Sequence, residues 1–222
     1  MKTIATSLVH RVLEPEHSVA DAHPTLIMLH GRGADEEDLL GLSSFLDDRL
    51  LCISARAPFS FPYGGYTWYD IGQVGVPLPG MFDESYAKLV TFVDDVLRNY
   101  PVDPSRLYLF GFSMGTVMSY ALSLTRPELF RGVSANSGYV PEGTGLRFRW
   151  KDLAGKTFFI AHGAGDQVIP VQMARRAKEL FAPSHATVDY REYPMDHQIS
   201  DESLADVAAW FKKLLDAPLA TS

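Results

Sequence analysis

The sequence predicts a single α/β domain: a mainly parallel sheet of about seven strands, with helices on both faces. Three observations predict it. Short apolar runs recur at 25–29, 50–55, 107–110, 132–137, 157–161 and 187–193, each of a length that suits a strand. Stretches of helical length and pattern separate most of them, and strands alternating with helices imply parallel pairing under two helical layers. The 222 residues hold no linker, repeat or charge block that would divide them, so one domain is expected across 1–222.

Each element has its own signal. Residues 7–13 alternate weakly and suit an edge strand. The apolar run 25–29 leads into His30-Gly31-Arg32-Gly33. Asp35, Glu36 and Glu37 then predict a helix start, because acidic residues in a first turn suit the helix dipole. A third strand is expected at 50–55. The connection from 56 to 82 is long, and its Tyr63, Tyr66, Trp68, Tyr69 and Phe82 are too apolar for disorder. A helix at 83–100 carries Tyr86, Leu89, Val90, Val93 and Leu97 on one face. The run 107–110 meets a helix that starts at Thr116 and is stopped by Pro127. Further strands are expected at 132–137, 157–161 and 187–193, with helices at 168–181 and 200–215. Ser200 and Ser203 are offered as caps for the last helix.

The strand–helix junction at 107–116 organises the rest. Between the two lies Gly111-Phe112-Ser113-Met114-Gly115. A strand turning directly into a helix forces its corner residue into a strained conformation, and glycines two positions either side let the arms pass. The corner serine then stands free above the sheet edge. The N–H of Met114 lies at a helix N-terminus, where developing negative charge is favoured.

In parallel sheets the ligand site lies beyond the carboxyl ends of the strands. Asp166 lies in the tight turn after 157–161, and His197 follows the last strand. A hydroxyl nucleophile needs a base near neutral pKa, and an imidazole needs a carboxylate to fix its tautomer. Ser113, Asp166 and His197 are therefore the expected triad, in the chain order of an α/β-hydrolase. His30 and His162 lie in His-Gly turns and are read as structural. His185 lies at the wrong end of the sheet, and His10, His17 and His23 belong to the N-terminal segment. Asp196 adjoins His197, but neighbours in an extended loop point apart. The oxyanion of an acyl transfer needs two donors. These are assigned to the backbone N–H groups of Met114 and Arg32, the latter in the loop after 25–29.

Composition narrows the function. A net charge of -7 argues against nucleic-acid or anionic-membrane surfaces. The single cysteine, Cys52, excludes an internal disulfide and a multi-cysteine metal site, and its apolar run reads as core. The N-terminal residues lack the apolar core of a signal peptide, and no run approaches the ~18 apolar residues of a membrane span. A cytoplasmic protein is expected. No His-Glu-x-x-His, Cys-x-x-Cys or phosphate-loop pattern is present, so no metal or organic cofactor is expected.

Five motifs together resemble the phospholipase/carboxylesterase family: Leu29-His30-Gly31-Arg32-Gly33; Arg56-Ala57-Pro58 with Trp68-Tyr69-Asp70; Gly111-Phe112-Ser113-Met114-Gly115; His162-Gly163-x-x-Asp166-x-Val168-x-Pro170; and His197. The resemblance covers nearly the whole chain. It implies a compact α/β-hydrolase without a large lid domain, cleaving esters or thioesters of soluble acyl compounds, with a homodimer as one assembly its members adopt. Many members carry Leu at the position of Arg32, Gln at Met114 and Gly at Thr116. The backbone donors survive these changes, but the pocket walls do not.

Trp68, Tyr69, Leu78, Met81, Phe82 and Ile169 are expected to wall the acyl site. Without a lid insert, short- to medium-chain carboxylic esters are the expected substrates. Thioesterase, lysophospholipase or acyltransferase activity on the same scaffold is the alternative. A non-catalytic hydrolase-like binding protein is a further one, disfavoured because no triad member is missing.

Overall fold

The structure, a computed structural model, describes residues 4–17 and 21–218. Residues 1–3, where the N-terminal stretch considered above begins, lie outside the described residues, as do 18–20 and 219–222. In chain order the described elements begin with strands β1 (His10–Leu13), β2 (His23–Leu29) and β3 (Leu51–Ala55). Two small hairpins follow, β4 (Phe59–Ser60) with β5 (Tyr66–Thr67) and β6 (Ile71–Gln73) with β7 (Val76–Pro77). Then come α1 (Pro79–Asn99), β8 (Val102–Phe112), α2 (Met114–Thr125), β9 (Gly132–Asn136), β10 (Thr157–Gly163), α3 (Gln172–Phe181), β11 (Thr187–Tyr193) and α4 (Asp201–Asp216).

Seven strands form one sheet in the order β1-β3-β2-β8-β9-β10-β11. Only the edge strand β1 runs antiparallel; every other pairing in this sheet is parallel. The carboxyl ends of β2, β8, β9, β10 and β11 therefore share one rim.

Side chains alternate across the sheet with period two, and the burial follows that rule. Ile27 and Leu29 of β2, with Leu107 and Leu109 of β8, enter a core shared with α1, α2 and α3. Leu26, Met28, Tyr108 and Phe110 face the other way, onto Leu39, Leu46 and the Val207, Trp210 and Phe211 face of α4. Helix α2 is buried from Met114 through Leu124, so it presents no polar stripe. Cys52 packs in the second core, and burial pushes its thiol up to about 12. Among the described residues, no helix is long and apolar enough to cross a membrane.

Several elements differ from their expected bounds, three of them for a clear local reason. The helix expected from Asp35 is only a 3-10 helix at Leu39–Phe45. Its acidic residues serve other partners: Asp35 Oδ1 accepts the Glu37 N–H at 2.9 Å, and the buried Glu36 carboxylate accepts from Nε and Nη2 of Arg56, each at 2.5 Å. The Ser43 hydroxyl also donates to Leu40 O at 2.6 Å, a local bond that competes with helix propagation. Helix α1 starts four residues earlier than expected, because Pro79 supplies a helical φ at the first turn. Helix α3 starts at Gln172 rather than 168, because the N–H groups of Val168 and Ile169 bind the Asp166 carboxylate instead. At the last helix Ser200 and Ser203 form a reciprocal capping box.

The turn from β8 into α2 leaves no room for a side chain. A Cβ on Gly115 would stand 1.8 Å from the Leu29 carbonyl oxygen of β2, and one on Gly111 would stand 2.6 Å from the Thr116 backbone. We expect Gly115→Ala to cost about 3 kcal/mol or more in urea unfolding, since overpacking against backbone cannot relax cheaply. Gly145→Ala, with nothing within 4 Å, should change stability by about 0.5 kcal/mol at most. Equal effects from the two substitutions would contradict this reading.

His30, at the end of β2, is fully buried. Its Nδ1–H donates to Gly31 O at 2.6 Å, and its Nε2 accepts the Ala57 N–H at 3.0 Å. Burial lowers its pKa, as it does for His10 and His162. Below about 6.5 the unfolded chain takes up protons that the buried rings refuse. Their stabilising contribution is thus present above that value and lost as pH falls. The urea midpoint should fall from pH 7.5 to 5.5, and His30→Asn should flatten that dependence. A midpoint that holds or rises on acidification would overturn it.

Candidate active site

Ser113 sits at the corner between β8 and α2 with φ 54 and ψ -118, a conformation that non-glycine residues adopt only when the surrounding fold imposes it. The Ser113 N–H donates to Asn136 O at 2.9 Å. Thr116 secures the corner from the other side. Its hydroxyl donates to Asn136 O at 2.7 Å and accepts the Asn136 N–H at 3.0 Å. The threonine that departs from the family's common glycine therefore ties α2 to β9.

Three side chains from three strand ends meet here. His197 Nε2 lies 2.9 Å from Ser113 Oγ, and His197 Nδ1 lies 2.7 Å from Asp166 Oδ2. A carboxylate can only accept, so Nδ1 carries the hydrogen and Nε2 is left to accept the serine proton. The Phe112 ring packs against the imidazole at 5.1 Å between centroids.

Asp166 is held by donors on every side. Its Oδ1 accepts the N–H groups of Val168 at 2.9 Å and Ile169 at 2.8 Å. Its Oδ2 takes the His197 Nδ1–H and lies 3.3 Å from Nε2 of His162. The His162 Nε2–H points mainly at Ile169 O, 2.8 Å away. His162 is therefore structural, as expected, but it also touches the carboxylate that orients His197. Asp196 is exposed and makes no bond to the imidazole.

A cavity of about 700 Å³ opens over Ser113, within the range of small-molecule sites. Arg32 and Met114 both line it. Neither of their backbone N–H groups has an acceptor among the described residues, as an oxyanion site requires. Among the described residues, no group of three or more His, Cys, Asp or Glu side chains is placed to hold a metal ion.

Of the residues expected to wall the cavity, Tyr69 and Ile169 do so. The other four need correction. Trp68 is wholly buried behind the wall, its indole N–H bound to His30 O at 2.9 Å. Phe82 is wholly buried and meets Tyr69 edge-on. Met81 packs against the core, and Leu78 stands 45% exposed outside the lining. The reason is the β6–β7 hairpin, which brings Ile71, Gln73 and Val74 over the cavity in their place. Phe112, Tyr139 and Val168 also line it. Tyr139 follows the carboxyl end of β9, so the strand-end rule that found Asp166 and His197 applied to it as well.

Residues 11–215 match the phospholipase/carboxylesterase family model. Acyl-protein thioesterase 1 of Saccharomyces cerevisiae is 24% identical over 218 residues, covering 90% of this chain and 96% of its own. Among solved structures, the carboxylesterase of Bacillus cereus superposes with a TM-score of 0.82 at 23% identity, covering 93% of this chain and 94% of that one. A carboxylesterase from Mesorhizobium loti gives a TM-score of 0.81 at 22% identity, covering 93% and 95%. With the family pattern matched across almost its full length, the chain belongs to the phospholipase/carboxylesterase family of carboxylic ester hydrolases.

Proposed function

We propose that the protein is a serine carboxylesterase working through Ser113, His197 and Asp166. One observation carries the reading: a strained serine hydroxyl 2.9 Å from an imidazole whose far nitrogen is 2.7 Å from a buried carboxylate. Ser113 Oγ attacks the acyl carbonyl as its proton passes to His197 Nε2. The resulting imidazolium is stabilised by Asp166. The backbone N–H groups of Arg32 and Met114 hold the oxyanion. Collapse expels the leaving alcohol, which takes the proton from His197, and leaves the acyl group on Ser113. Water then repeats the sequence to release the acid and restore the serine.

The substrates proposed are short- to medium-chain esters. The cavity walls Ile71, Val74, Val168 and Ile169 are apolar, and its volume suits a small ligand. Thioesters are the second reading, favoured by the similarity to acyl-protein thioesterase 1. A thiol leaving group would need no different machinery.

Ser113→Ala should leave the fold intact and lower turnover by ~10⁴ or more. A fluorophosphonate should label the wild type and not this variant. Substantial activity remaining after the substitution would refute the triad. Across 4-nitrophenyl esters, kcat/KM should peak at short or medium chains and fall for long ones. A steady rise toward long-chain, water-insoluble esters would remove the chain-length reading and leave the triad standing.

A further inference from the structure

Arg32 lines the cavity, and among the described residues its guanidinium is held by no carboxylate. Elsewhere the arginines are mostly paired: Arg49, Arg56, Arg175 and Arg191 each hold a carboxylate. Arg32 has no carboxylate within 4 Å among the described residues, although the chain carries a net charge of -7. Its guanidinium carbon lies instead 5.1 Å from the centre of the Phe61 ring. That contact orients the group without neutralising it.

A second donor lies deeper in the same cavity. The Tyr69 and Tyr139 hydroxyls are 3.3 Å apart, and both residues are buried. Two phenols have two hydroxyl hydrogens. Their mutual contact uses one, and the other has no acceptor among the described residues. Burial raises both phenols, so both stay protonated at neutral pH, while the positive charge of Arg32 acts on Tyr69 in the opposite sense.

The charge on the remaining wall is of the opposite sign. Asp38 lines the cavity on the side of Phe112 and His197, where a second groove formed with Leu39, Leu42 and Ile199 begins. An anion would be repelled there. The leaving oxygen must also face His197, which protonates it. The alcohol side of a substrate therefore lies toward Asp38, and the acyl side toward Arg32 and the tyrosines.

A cation and a free hydroxyl hydrogen in one cavity wall are complementary to a group that only accepts hydrogen bonds and bears negative charge. We propose that the Arg32 side chain selects acyl groups ending in a carboxylate, so that the preferred substrates are half-esters of dicarboxylic acids. The Tyr69–Tyr139 pair supplies an additional hydrogen bond to that carboxylate. The inference rests on the acyl-transfer role of Ser113. It gives Arg32 two separate duties: its backbone faces the oxyanion, and its side chain faces the far end of the acyl group.

The test compares release of 4-nitrophenolate from 4-nitrophenyl hydrogen adipate and from its neutral methyl ester. The ratio of the two kcat/KM values is read within each protein, so a general effect of a substitution on the chemistry cancels. The wild type should favour the anionic ester by about tenfold to a hundredfold, and 0.5 M added salt should compress that preference. Arg32→Leu should bring the ratio to one or below, and Arg32→Lys should restore part of it. A wild-type ratio near one, or a preference that survives Arg32→Leu, overturns the proposal. If the neutral ester is cleaved readily without any preference for its anionic partner, only this inference falls. If neither ester is cleaved, the serine-esterase reading falls with it.

Discussion

The structure depends on a single crowded crossing. Strand β8 must turn into α2 while α2 lies against the end of β2, and the Leu29 carbonyl leaves no space for a Cβ at position 115. Only glycine at 111 and 115 lets the backbones approach so closely. The strain this creates collects at Ser113, the residue between them, whose φ is positive. Bonds from the Ser113 N–H and the Thr116 hydroxyl to Asn136 hold the corner in that shape. A packing constraint in the middle of the sheet thereby fixes where the Ser113 hydroxyl stands.

The second half of the site is fixed by hydrogen bonding rather than by crowding. The loop after β10 folds around the Asp166 carboxylate, which takes two backbone N–H groups and one imidazole N–H. Those backbone bonds delay the start of α3, so the loop keeps its form at the expense of a helical turn. The carboxylate in turn sets which nitrogen of His197 is bare. The sheet brings strand ends together, and this local network orients what they carry.

Much of this was legible in the chain. The meeting of Ser113, Asp166 and His197 at one rim was legible because each follows the carboxyl end of a strand in a parallel sheet. The glycines flanking Ser113 were recognisable because backbone crowding permits nothing else. The cavity walls were not legible, for a physical reason. Trp68 and Phe82 have the size and polarity of ligand-facing residues, but their burial is settled by tertiary packing against α1 and the end of β2. Ile71 and Val74 look unremarkable in sequence and gain their position from a hairpin only a few residues long. The acidic run at 35–37 suggested a helix start because the dipole rule is local, whereas Glu36 answers to Arg56, twenty residues away.

Cys52 extends the chemistry of the molecule in a practical direction. Its thiol is enclosed by the core on the α4 side, and burial keeps it in the un-ionised form that does not attack electrophiles. Toward maleimides and oxidants the native fold should therefore behave as though it had no cysteine. A single cysteine introduced on the β6–β7 hairpin would carry a spectroscopic label free of background, and would report whether that hairpin shifts when a ligand enters beneath it.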